Sequence, residues 1–130
     1  MVEDDSAPPE FKELPAPTQC ALWQQPDLVL SPRERFDVVE TFVDESHLTR
    51  ALLKCRECGQ LYFHEFYERI DWDDGDDAQY RTYIPVPARE HAERMRDADV
   101  FALMLYSPRL QWDHRTGRAG ATLRWIGKAD

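Results

Sequence analysis

At 130 residues the chain has the length of one domain with a real core, and its 42% hydrophobic and 12% aromatic content excludes wholesale disorder. Sixteen basic residues against 25 acidic ones give a net charge of −9, which opposes general attraction to nucleic acid and to anionic membranes. No apolar run reaches the roughly 18 to 20 residues of a membrane span, and the N-terminus is acidic and proline-rich where a secretory signal is basic and then apolar, so a cytoplasmic location is expected.

Residues 1–18 carry prolines at 8, 9, 15 and 17 among charges and small residues, a composition that reads as a flexible acidic arm with Phe11 and Leu14 as anchor points. The single domain is expected over 19–130. It opens with Cys20-Ala21-Leu22-Trp23, closed by Pro26. Ser31-Pro32-Arg33-Glu34 has the chemistry of a helix start: a capping serine, proline at the first helical position and glutamate three residues after the cap. Val38, Val39, Thr41, Phe42 and Val43 are β-branched or aromatic and predict a strand over 37–43.

Residues 49–54 lead into Cys55-Arg56-Glu57-Cys58-Gly59, and 60–72 lead out as the clearest strand of the chain. Alternation puts Tyr62, His64, Phe66, Ile70 and Trp72 on one face, and Leu61, Phe63, Glu65, Tyr67 and Arg69 on the other. Asp73-Asp74-Gly75-Asp76-Asp77 is turn chemistry, and residues 80–86 return as a partner strand stopped by Pro85 and Pro87. From Ala88 the spacing turns helical through His91, Ala92 and Met95. Asp99 can cap a second piece, Val100–Tyr106, whose apolarity predicts deep burial before Pro108. Strands over 109–114 and 121–126 complete the chain, with Leu110, Trp112, Leu123 and Trp125 lining one buried face. The expected class is therefore α+β: a small antiparallel sheet built on the 60–86 hairpin, a helical layer over 88–106 and a zinc-knuckle-like turn.

Two thiols three positions apart and followed by glycine can aim both sulfurs at one point, with backbone N–H groups turned toward them. Cys55, Cys58 and Gly59 thereby resemble the knuckle of zinc-ribbon proteins over about twelve residues, a resemblance that implies a bound zinc and nothing about activity. A ribbon would supply a second such pair, and this chain has none. The remaining ligands would be Cys20, favoured for its softness, with His64 or His47. The alternative is a knuckle-shaped turn with reduced thiols and no metal. Thioredoxin-like chemistry fits less well, because the residues after Cys58 read as a strand and not as a helix.

Asp71, Asp73, Asp74, Asp76 and Asp77 gather five carboxylates on one turn. A calcium-binding EF-hand register fails there, since Gly75 at position six puts Ile70 at one, Trp72 at three and Arg81 at twelve. The turn reads instead as a contact surface for a basic protein partner. No hydrolase, metalloprotease, P-loop or dinucleotide motif occurs. Arg109, Arg115, Arg118, Arg124 and Lys128 with Trp112 and Trp125 have the composition of a nucleic-acid platform, but the hairpin must bury those tryptophans. The functional expectation is a non-enzymatic acidic binding module, of the kind that immunity-type inhibitors of basic toxins represent, with a structural zinc. The rival expectations are an accessory subunit of a larger assembly and a zinc-dependent enzyme using Glu65 or Glu68 as base.

Overall fold

Runs of β-branched, aromatic and alternating apolar residues fold into an antiparallel meander. The computed structural model describes residues 12–30, 34–69, 78–114 and 120–128. Its main sheet takes β2 (Phe36–Glu45), β3 (Leu48–Cys55), β4 (Leu61–Arg69), β5 (Ala78–Val86), β7 (Arg109–His114) and β8 (Thr122–Ile126), which lie side by side in chain order. Between β5 and β7 the chain leaves the sheet for α2 (Arg89–Met95), α3 (Val100–Leu103) and β6 (Tyr106–Ser107). Ahead of the meander come β1 (Lys12–Glu13), α1 (Ala21–Gln24) and a 3-10 helix over Pro26–Leu30.

The α+β expectation is overturned: 50% of the described residues are in strands and 20% in helices, so the protein is mostly β. The error lies in 88–106. Its helical spacing holds for seven residues only, and α3 has four. The Arg50 guanidinium binds the Arg96 carbonyl at 2.8 Å where α2 ends, and Asp99 caps α3 through the Ala102 N–H at 2.8 Å. Deep burial of the second piece also fails, since Leu103 is buried but Phe101 is 78% and Met104 49% exposed. Tyr106 and Ser107 then leave the helical path and pair in parallel with Lys12 and Glu13. The helix start read at 31–34 falls largely outside the described residues, and Phe36 already opens β2.

The sheet separates two apolar clusters. On one face Ala51, Leu53, Cys55, Tyr62, Tyr83 and Leu110 pack under Cys20, Leu22, Leu28 and Val29 of the N-terminal segment. On the other, Leu52, Phe63, Ile84 and Val86 pack under Ala92, Met95 and Leu103 of the helices. The segment from residue 12 serves both. Leu14 packs with the helical cluster and its N–H binds the Ser107 carbonyl at 2.7 Å. Past buried Pro17, α1 lies on the opposite face. There Trp125 donates its indole N–H to the Leu22 carbonyl at 2.7 Å, and Lys128 donates to the Trp23 carbonyl at 2.6 Å. Gly127 ends β8 at φ +87, where a Cβ would come within 2.6 Å of the Ser107 Cβ. Only glycine fits this junction.

Candidate metal centre

β3 runs straight into the turn Arg56–Cys58, and the chain reverses because Gly59 takes φ +81. The turn is held by Gly59 N–H to the Cys55 carbonyl at 2.9 Å and by Cys55 N–H to the Gln60 carbonyl at 2.8 Å. Its backbone donors converge on sulfur. Those of Cys58 and Glu57 reach the Cys55 thiol, and that of Gln60 reaches the Cys58 thiol. Hydrogen bonds of this kind favour thiolates, the form in which cysteine binds a metal.

Cys20 arrives from the N-terminal segment. It precedes α1 in extended conformation at φ −87, and its N–H is bound by the Pro17 carbonyl at 2.9 Å. The Gln19 amide donates across to Gln60 at 2.6 Å, fastening the segment to the knuckle. The Cys20 and Cys55 sulfurs stand 3.9 Å apart, and the sulfurs of Cys20, Cys55 and Cys58 all lie within 4.8 Å of one another. Cys20 and Cys55 are buried, and Cys58 is at the surface. Three sulfurs so grouped could hold a metal ion.

The surroundings act on the thiols in opposite directions. Burial raises the Cys55 thiol, but the N–H groups of Cys58 and Glu57 outweigh it and bring Cys55 below its ordinary value. Cys58 goes the other way: desolvation pushes it up to about 12 despite the Gln60 N–H, and the Cys20 and Cys55 thiols add to the rise. Three thiols this close cannot all ionise without positive charge between them. Tyr62 completes the setting. Its side chain is fully buried, its hydroxyl has no hydrogen-bond partner, and its acidity is suppressed first by burial and then by Cys20, Cys58 and Cys55. A phenol that stays protonated beside sulfur is a donor awaiting a thiolate acceptor.

The remaining predicted residues stand elsewhere. His64 shares the Tyr62 face but lies outside the sulfur group, stacked on Tyr83 with ring centroids 4.5 Å apart. Its Nε2 is buried without a partner, and burial, then the charge of Arg81, pushes its pKa down to about 3. Two residues of strand carry it about 7 Å past Tyr62. His47 sits at the opposite end of β3, where its ring faces Glu68 at 3.3 Å. Asp71, Asp73, Asp74, Asp76 and Asp77 lie outside the described residues. No helix among the described residues is long and apolar enough to cross a membrane. No protein-family model, curated protein or solved structure matches the chain.

Two features escaped the sequence reading. Tyr62 was legible as a face-sharing aromatic of β4, yet its place over the sulfurs depends on Cys20 folding back across 35 residues. The second is a polar row on the opposite face: Arg50, Glu65, Thr82 and Gln111 stand directly opposite one another on β3, β4, β5 and β7, and all four are buried. The signal for it was an arginine and a glutamate set at core-facing positions of otherwise apolar strands.

Proposed function

We propose that the protein is an acidic protein-binding module stabilised by zinc at Cys20, Cys55 and Cys58. The convergence of three sulfurs within 4.8 Å carries the metal half of this reading. Soft thiolates suit zinc, and the N–H donors to Cys55 and Cys58 match its needs. Zinc takes about four ligands. All three cysteines and all four histidines of the chain are among the described residues, and no histidine joins the group. The fourth position therefore falls to an oxygen donor or to a ligand from another chain.

The metal's task is structural, because it ties the N-terminal segment to the β3–β4 turn and closes a 35-residue span. The enzyme reading loses its bases. Glu65 is on the other face, held by Arg50 at 2.7 Å. Glu68 accepts from Gln79 at 2.9 Å and lies six residues from Tyr62, about 20 Å along the strand.

A net charge of −9 and the carboxylates of Asp71, Asp73, Asp74, Asp76 and Asp77 support a basic protein as partner. Immunity-type inhibitors share this size and charge, which is an analogy of class. Immobilised zinc-loaded protein should retain a basic protein at low salt and release it as salt rises. Replacing Asp73, Asp74, Asp76 and Asp77 with asparagine should abolish retention. Retention indifferent to both salt and substitution would contradict the reading.

A further inference from the structure

The buried polar row opens onto a cavity. Arg50, Glu65, Thr82, Gln111 and Arg124 face one another in register across β3, β4, β5, β7 and β8. Burying four polar side chains in a row costs stability unless each is satisfied. The cost is met internally along the row: Arg50 binds Glu65 at 2.7 Å and the Arg96 carbonyl at 2.8 Å, and the Thr82 hydroxyl donates to the Gln111 amide oxygen at 3.0 Å. Toward β7 and β8 the row borders a cavity of about 260 Å³, walled by Val100, Leu103, Met104 and Ile126 and floored by Thr82 and Gln111.

Two arginines, Arg109 and Arg124, line this space. Arg109 is held in place by its Nη1, which donates to the Met104 carbonyl at 2.7 Å and to the Tyr106 carbonyl at 3.0 Å. Its Nε is buried and has no acceptor. Burial and the charge of Arg124 both disfavour its protonated form, and Asp113 offsets this only in part. Asp113 itself accepts from the Gln111 amide at 2.8 Å. Among the described residues, neither Arg109 nor Arg124 makes an ion pair. With Glu65 neutralised by Arg50, the lining carries two positive charges against one negative, in a protein of net charge −9.

We propose that this cavity binds a small organic carboxylate, its carboxyl group taken by Arg109 and Arg124 and its apolar body by the Val100–Met104 and Ile126 wall. Guanidinium pairs match a carboxylate fork, and Tyr67 and Tyr80 also line the cavity with polar groups beside the apolar wall. The site is on the face opposite the cysteines, so it stands independently of the metal.

The test is calorimetric titration of the full-length protein with benzoate and, separately, with inorganic phosphate. Arg124→Gln removes one guanidinium from an exposed position on β8 without disturbing the core, and Arg81→Gln on the opposite face is the control. The expected result is saturable benzoate binding that weakens about tenfold or more in Arg124→Gln and is unchanged in Arg81→Gln. Phosphate binding with the same dependence on Arg124 would show that the guanidiniums take oxyanions generally, and tighter benzoate binding would assign the apolar wall its share. Absence of saturable benzoate binding, or equal binding by wild type and Arg124→Gln, would overturn the proposal.

Discussion

At Tyr62, one hydroxyl separates two chemical states of the sulfur group. Without a metal, the buried hydroxyl has only weakly accepting thiols beside it, so its removal in Tyr62→Phe should leave stability equal or slightly raised. With zinc bound as proposed, the same hydroxyl would donate to a thiolate, and its loss should weaken zinc affinity about tenfold or more. Competition against a chromogenic chelator, run beside urea unfolding of the metal-free protein, measures both effects. His64 makes a separate prediction. Its folded pKa is depressed from 6.5 to about 3, so the unfolded chain binds its proton first on acidification. The stability due to neutral His64 is complete above about pH 6.5 and falls toward pH 3, by at most about 1.4 kcal/mol per pH unit. Unfolding midpoints across that range should flatten in His64→Phe. Cys55, Cys58 and Gly59 were legible because their geometry is local to five residues. The third sulfur rested on softness alone, and the strand rise that puts Tyr62 and not His64 nearest the sulfurs becomes visible only once β4 has a fixed start at Leu61.

At the level of elements, the sheet depends on a few junctions where the helical and N-terminal layers meet it. Arg50 joins β3, β4 and the end of α2 through Glu65 and the Arg96 carbonyl, with the pair's side chains 6% and 5% exposed. Glu65→Ala would strand a buried guanidinium and should cost about 3 to 5 kcal/mol in urea unfolding. Replacing both residues, as Arg50→Met with Glu65→Leu, should recover much of that loss. Gly127→Ala is the second such test. At φ +87 with the Ser107 Cβ 2.6 Å from the new methyl, it should cost about 1 to 3 kcal/mol. The strands of the meander were readable from period-two alternation and turn chemistry, and the predicted 109–114 and 121–126 strands match β7 and β8 closely. The helical layer is shorter than its residue spacing implies. Apolar residues at Val100–Tyr106 fit a helix as well as a turn plus edge strand, and pairing with β1, where Lys12 stands opposite Tyr106, decides between them.

The whole molecule is a sheet clasped by its own N-terminal segment. Lys12–Leu14 bind on the helical face and Cys20–Leu30 cover the opposite one, so the segment behaves as an intramolecular strap. Zinc would lock this strap at Cys20, beside the Trp23–Trp125 contact at 4.9 Å. Removing the metal with a chelator should therefore raise amide exchange in residues 18–30 and at the knuckle well before exchange rises in β4 and β5. Uniform protection with and without metal would mean that packing alone holds the strap. The cysteines, the net charge and the anchoring of the arm at Leu14 were legible at this scale, but the crossing of the segment to the opposite face was not, because a proline-rich, charged opening carries the composition of a free arm whether or not it docks.

Metal analysis of the purified protein, joined to cobalt(II) substitution, tests whether Cys20, Cys55 and Cys58 hold zinc together. The purified protein should carry one zinc per chain and, with cobalt, show the thiolate charge transfer of three sulfurs, and Cys20→Ser should lose both stoichiometric zinc and one sulfur's contribution. Protein free of metal after growth with zinc, or a Cys20→Ser variant that holds zinc and cobalt as the wild type does, would contradict a zinc site shared by the three.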